Sequence, residues 1–270
     1  MNIYGDRGNI TVLQKRCQWR GIEVQIQRIG EGSTEKDLAG CDLLVMGGAQ
    51  DKQQTIVAKD LQKKKKTFSE MIESGVPGLY ICGGFQYLGQ YYKEADGTII
   101  NQLGVLDVYT ENPGGERLIG NIAIEVSESL SSSVIPAKAG IYTSKDLIPD
   151  PDFAEARQVG DDKGKKLIFV GFENHGGRTR LGPDVKPLGK VLKGFGSNAE
   201  DKTEGAIYKN TIGTYFHGPI LPKNPELSDW LIEKALEKKY KKSVQLQMLD
   251  DALSETARKV ILVKMLSNKS

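Results

Sequence analysis

Two short apolar runs each end abruptly in a pair of glycines. Cys41-Asp-Leu-Leu-Val-Met46 runs into Gly47-Gly48, and Gly78-Leu-Tyr-Ile-Cys82 runs into Gly83-Gly84. Unbroken apolar stretches of this length, bounded by turn residues, are the pattern of strands buried on both faces of a parallel sheet. Helical patterns surround them. Asn9 to Arg20 puts Ile10, Leu13 and Cys17 on one face and stops at Gly21. Gln54 to Ser74 reads as one long helix that carries Lys63 to Lys66 and closes at Gly75 and Pro77. Ile22, Val24 and Ile26 alternate with polar residues as in a strand, and a further helix is expected from Phe85 to Tyr92. Strands and helices alternating in this way require an α/β fold with right-handed crossovers.

The second half changes character. Strands are expected near Ile119–Val126, Lys166–Glu173 and Ile207–Phe216. Asn224-Pro225-Glu226 is a helix start, a capping Asn with Pro in the first turn, and Leu227, Trp230, Leu231 and Leu236 supply its buried face. A last helical segment runs from about Leu246 to Leu266. Residues 127–165 are serine-rich, punctuated by Pro136, Pro149 and Pro151, then charged, and read as a mobile surface insertion. The expected organisation is a single domain over residues 1–270, with that insertion and a helical tail at about 246–270.

Composition removes several function classes. Lys plus Arg number 37 against 35 Asp plus Glu, a net charge of +2, which argues against a nucleic-acid binder working through bulk charge. No apolar stretch approaches the roughly 18–20 residues of a membrane helix, and no signal peptide is visible at the start. Three cysteines, Cys17, Cys41 and Cys82, show no metal-type spacing and suit a reducing cytoplasm. Glycine is the outlier: 31 residues, about 11% against a usual ~7%.

The second glycine pair is where chemistry is expected. A Cys that ends a buried strand and is followed by Gly-Gly and a helix has the layout of a nucleophile elbow. Glycine allows close substrate approach, and the first amides of the helix favour a thiolate and can hold an oxyanion. A strand-end cysteine is also commonly a small core hydrophobe, and Cys17 and Cys41, which lack such a turn, are read that way. A thiol nucleophile needs a base, and the chain has two histidines. His217 ends the strand-like Thr211-Ile-Gly-Thr-Tyr-Phe-His217, while His175 lies in the polar loop Glu173-Asn-His-Gly-Gly-Arg-Thr179. Either can serve as base on chemistry alone.

Several segments taken together resemble a known family. Tyr-Ile-Cys82-Gly-Gly-Phe-Gln-Tyr-Leu-Gly89, the paired Gly47-Gly48, and Gly213-Thr-Tyr-Phe-His217-Gly-Pro are similar to the class I glutamine amidotransferases of the cobyric acid synthase-like group. Within that group, Asn2-Ile-Tyr-Gly-Asp-Arg-Gly-Asn9, Gly171-Phe-Glu-Asn-His-Gly-Gly-Arg-Thr179 and His217-Gly-Pro-Ile-Leu-Pro-Lys-Asn224 resemble the GatD-type glutaminase subunits of lipid II isoglutaminyl synthase. The resemblance covers most of residues 1–126 and 166–265. It implies a mixed, mostly parallel sheet flanked by helices. It also implies that Cys82 attacks the side-chain amide of L-glutamine and His217 moves the proton. An oxyanion hole would form at Gly83 and Gly48, and Arg117 would bind the substrate carboxylate. Gly47, Gln86, Asn174 and His175 fall in the shared motifs as further site or interface residues.

This sequence departs from the class I pattern. Tyr80 stands where many members have glycine, two residues before the nucleophile, and Pro219 stands where many have an acid, two residues after the histidine. The orienting carboxylate is therefore expected from a partner subunit. Family members also carry a strand before the Asn2–Asn9 segment, so the sheet is expected to be one strand short, and the insertion at 127–165 is not typical. Gly160-Asp-Asp-Lys-Gly164-Lys165 and Gly182 to Gly189-Lys190 both miss the spacing of a phosphate-binding loop. No cofactor is expected in this chain. ATP and magnesium would belong to a Mur-ligase-like synthetase subunit, in a heterodimer that amidates D-glutamate of the lipid II stem peptide to D-isoglutamine. That places the chain in the cytoplasm, at the inner membrane face through its complex. Two other readings stay open: a same-fold amidotransferase serving another synthetase, and a non-catalytic binding module.

Overall fold

The computed structural model describes residues 6–48, 51–134 and 166–267. The chain opens with helix α1 (Arg7–Gln18), whose inner face buries Leu13 and Cys17. Helix α2 (Glu35–Ala39) starts on a capping box between Thr34 and Asp37. Strand β1 (Leu44–Met46), helices α3 (Asp51–Lys63) and α4 (Lys65–Glu73), and strand β2 (Gly78–Ile81) follow. Helix α5 (Gly83–Leu88) then starts immediately after Cys82.

Strands β3 (Tyr91–Lys93), β4 (Ile99–Asn101), β5 (Val108–Glu111) and β6 (Leu118–Val126) come next, then helix α6 (Glu128–Val134). Strands β7 (Ile168–His175), β8 (Arg178–Leu181), β9 (Gly189–Lys193), β10 (Thr203–Glu204), β11 (Ala206–Tyr208), β12 (Thr211–Thr214) and β13 (Phe216–His217) complete the sheets. Helices α7 (Pro225–Tyr240) and α8 (Ala252–Ser267) close the described chain.

Among the described residues the strands form three sheets. The first, in the order β1-β2-β12-β11, is parallel across β1, β2 and β12, with β11 antiparallel at its edge. The second runs β10-β9-β6-β7-β13 and the third β4-β3-β5-β8. Strand β2 is apolar and wholly buried because both of its edges are paired and both faces are covered. One apolar core gathers α1, α7 and the second sheet around Leu79 and Ile81; another gathers α4, α5 and the third sheet around Tyr80 and Phe85. The architecture is the expected α/β one.

Several local expectations are corrected. Residues 22–26 alternate like a strand yet run as coil with Val24 and Ile26 exposed. Among the described residues no strand lies alongside to complete a ladder, and alternation without a partner does not hold a strand. The long helix after Gln54 is two helices, broken at Lys64, whose φ of −110° and ψ of 7° leave the helical region. The Lys63–Lys66 run is therefore not a uniformly solvated face. Lys64 is buried with its ammonium 2.7 Å from Asp60, while its neighbours face solvent. The helix after Cys82 ends at Leu88, and Tyr91 and Tyr92 belong to β3. The strand expected over 207–216 is interrupted at the Lys209–Asn210 turn and again at Tyr215.

Asn224 precedes α7 as expected but does not cap it with its side chain. Its amide instead binds the Val170 N–H and C=O, at 2.9 Å each, and the Ile220 carbonyl, tying the helix start to β7. Cys41 is half-buried rather than core. Residues 127–134 of the expected insertion carry α6; residues 135–165 lie outside the described residues.

Two glycines let α5 sit directly on the first sheet. A Cβ at Gly84 would lie 2.5 Å from the Met46 carbonyl, and one at Gly213 would overlap the buried Phe85 ring. Gly213→Ala is expected to lower stability by about 2 kcal/mol, because an added methyl in a packed contact forces backbone shifts. A urea titration checks this as a lowered midpoint at unchanged slope.

Candidate active site

Cys82 follows the last residue of β2 with φ 51° and ψ −109°, a conformation costly for a side-chain-bearing residue. Two backbone hydrogen bonds hold it there. The Cys82 N–H donates to the Thr214 carbonyl at 2.8 Å, and the Gln86 N–H donates to the Cys82 carbonyl at 2.9 Å. The turn thus delivers the half-buried thiol above the carboxyl ends of β2 and β12, as an elbow does. Gly83 occupies the first position of α5, where an N–H has no acceptor inside the helix.

His217 reaches the same place from β13. It is completely buried, and its Nδ1 lies 3.3 Å from Asp6 Oδ1. Burial on its own would lower the imidazole pKa, but the Asp6 carboxylate and the neighbouring Cys82 sulfur outweigh it and raise the value to about 9. The imidazole therefore keeps its proton at neutral pH, between the Cys82 sulfur on one side and the Asp6 carboxylate on the other.

Asp6 corrects the expectation that the chain lacks an orienting acid. It is 3% exposed and works in two directions: Oδ1 faces His217, and Oδ2 accepts the Gly48 N–H at 2.9 Å. Its placement depends on how α1 docks. A Cβ at Gly8 would lie 2.5 Å from the Pro219 ring, and Asn9 Oδ1 accepts the Leu221 N–H at 3.0 Å. Pro219, which stands where an acid was looked for, is the surface on which the start of α1 seats, and seating it brings Asp6 to His217. The signal available in the sequence was Asp6 within the Asn2–Asn9 segment; its partner lies 211 residues away.

The Gly48 N–H, expected to donate to an oxyanion, is engaged by Asp6, so the Gly47-Gly48 loop here braces the acid. Gln86 is buried on α5, its Nε2 donating to the Tyr215 hydroxyl at 3.0 Å. Tyr215 Oη is also 2.6 Å from Thr179 Oγ1, and its ring stacks on His175 with centroids 3.7 Å apart. His175 lies in this packed polar layer and is 1% exposed. Its Nδ1 is 2.8 Å from the Gly177 carbonyl, which fixes the proton on that nitrogen, and burial pushes its pKa down. A neutral, stacked imidazole with this bond supports the loop; of the two histidines, the one beside Cys82 is His217.

Arg117 precedes β6 and is exposed. Its guanidinium donates from Nε to Asn174 Oδ1 at 2.7 Å and from Nη2 to the Asn174 carbonyl at 2.8 Å. Asn174 thus acts as a clamp on Arg117. The Gly176-Gly177 turn connects this clamp to the buried layer: a Cβ on Gly176 would meet Arg117 at 3.6 Å, and one on Gly177 would meet Gln86 at 2.9 Å.

The CobB/CobQ-like glutamine amidotransferase domain matches residues 1–225 of this chain. The glutamine-hydrolysing lipid II isoglutaminyl synthase subunit GatD of Staphylococcus aureus (strain N315) is 42% identical over 241 residues, 88% of this chain and 82% of that one. The subunit of the same name from Streptococcus pneumoniae (strain ATCC BAA-255 / R6) is 39% identical over 94% of this chain and 84% of its own. A probable cobyric acid synthase of Methanosphaera stadtmanae is 31% identical over 67% of this chain but only 31% of its own length.

Asp6→Asn replaces an acceptor facing Nδ1 with an amide and removes the charge that opposes burial. The His217 pKa is expected to fall from about 9 by roughly one unit or more, read by NMR titration of the ring. The stabilisation that the raised value gives the parent is complete below about pH 6.5 and is lost as pH rises through about 9. The variant should lose much of that dependence. An unchanged titration would show that Asp6 does not act on His217.

Proposed function

The chain belongs to the CobB/CobQ-like glutamine amidotransferase domain family and groups within it with the GatD subunits, and from that premise we propose that it is the glutaminase subunit of a lipid II isoglutaminyl synthase. The observation that carries the reading is the elbow: a cysteine at positive φ on a strand end, beside a histidine that a buried carboxylate keeps protonated.

Cys82 attacks the side-chain carbonyl carbon of L-glutamine as a thiolate, with its proton on His217. The resulting oxyanion is received at the N-terminus of α5, where Gly83 offers its N–H. His217 gives its proton to the departing nitrogen, the C–N bond breaks, and ammonia leaves a glutamyl thioester. Water then attacks the thioester, His217 takes its proton, and glutamate departs with the thiolate restored. Asp6 orients His217 throughout. Arg117, clamped by Asn174, takes the amino-acid carboxylate, for which two parallel N–H donors are suited.

The ammonia is consumed elsewhere. A Mur-ligase-like partner subunit, with ATP and magnesium, would activate the carboxyl of D-glutamate in the lipid II stem peptide and accept ammonia there to give D-isoglutamine for peptidoglycan. No helix of the described residues is long and apolar enough to cross a membrane, so contact with the lipid-linked substrate would come through that heterodimer, on the cytoplasmic side.

Cys82→Ala is expected to reduce glutamine hydrolysis to background in the co-purified complex. Arg117→Ala should raise the KM for glutamine about 10- to 100-fold, the value of a charge-assisted hydrogen-bonded pair, with a smaller change in kcat. Ammonia release by the Cys82 variant at the parent rate would refute the assignment.

A further inference from the structure

Glu204 is a fully buried carboxylate outside the site just described, bonded to donors gathered where the chain passes between two sheets. Strand β12 pairs with β2 only as far as Thr214↔Ile81, and β13 pairs with β7 from Phe216↔Glu173. Tyr215 is the residue at which the chain passes from one sheet to the other. Such a crossing strands backbone and side-chain donors in the interior, each costly unless bonded.

Glu204 answers them. Its Oε1 accepts the Thr214 hydroxyl and the Tyr215 N–H, both at 2.7 Å, and its Oε2 accepts the Ser197 hydroxyl at 3.0 Å. Thr214 Oγ1 in turn accepts the Phe216 N–H at 3.1 Å, and Ser197 Oγ accepts the Gly205 N–H at 2.8 Å. Gly205 makes the approach possible, with φ 64° and no Cβ to meet the Gly213 carbonyl 2.5 Å away.

The same crossing holds one reactive group and carries the other. Thr214 is the residue whose carbonyl holds the Cys82 N–H, and His217 lies three residues further on. We propose that Glu204 is a positioning residue for glutamine hydrolysis, fixing the crossing from β12 to β13 so that His217 meets the Cys82 thiol. The proposal rests on the glutaminase reading above. A carboxylate has the acceptors that three donors require, and no neutral side chain offers as many. Burial, with the Glu173 carboxylate nearby, raises its pKa to about 7, and the three donors pull the other way by favouring the charged form.

The test uses the chain co-purified with its synthetase, in parent, Cys82→Ala, Glu204→Gln, Glu204→Ala and Thr214→Val forms. Three quantities are measured: kcat and KM for glutamine, the rate at which iodoacetamide alkylates Cys82, read on its own peptide by mass spectrometry, and the unfolding midpoint. Glu204→Gln keeps two acceptor contacts and turns an amide toward Ser197. It should lower kcat and slow alkylation about 10-fold, and Glu204→Ala up to about 100-fold, with KM within about twofold of the parent. Thr214→Val, which removes one donor to Glu204, should act in the same direction, and it carries the test if the Glu204 variants fail to fold.

Parent-like kcat and alkylation in Glu204→Gln and Thr214→Val would overturn the proposal. So would a loss of kcat matched by an equal rise in KM, which would mark general loosening of the site. A fully active Cys82→Ala would instead refute the glutaminase reading itself, so the two failures are distinguishable.

Discussion

Parallel pairing of β2 with β12 is the contact on which the site depends. It runs from Thr211↔Gly78 to Thr214↔Ile81, and its last rung is the bond from the Cys82 N–H to the Thr214 carbonyl. Residues far apart in the chain thereby end side by side at the carboxyl edge of a sheet, the usual place for chemistry in open α/β folds. The strained backbone at Cys82 persists because it is fixed from both sides, by that rung and by the first hydrogen bond of α5. Without the rung, neither the thiol nor the histidine has a defined neighbour.

What the sequence made legible was local. The apolar run, the cysteine and the glycine pair lie within a few residues of one another, so the elbow could be read directly. His217 could be read as a strand end but not separated from His175 on chemistry alone; the distinction lies in what surrounds each ring, a carboxylate and a thiol in one case, a tyrosine face and a carbonyl in the other. Asp6 was not legible as an acid for His217, since nothing near it in sequence shows that Gly8 lets α1 close on Pro219. Glu204 was equally silent, because the need it meets arises only where the chain crosses from one sheet to another. The misread coil at residues 22–26 and the break at Lys64 have the same origin: local pattern proposes an element, and tertiary partners decide whether it forms.

Charge does structural work away from the site. Arg16, buried on α1, forms ion pairs with Asp229 of α7 and with Asp251 just before α8, and Arg20 joins Asp229 from the next turn. Arg258 of α8, fully buried, pairs with Glu226 at the start of α7. These pairs tie both C-terminal helices back to the helix that Asp6 immediately precedes. Breaking a buried pair from one side leaves an uncompensated charge, typically about 3–5 kcal/mol, so the position of the end of the chain matters for its beginning.

Cys82 touches both apolar cores, the one around Leu79 and Ile81 and the one around Tyr80 and Phe85. The sulfur therefore sits on a seam. Close-packed interiors compress little and transmit strain. Strain set up in either core therefore reaches this one atom, and its reactivity depends on packing on both sides of the seam.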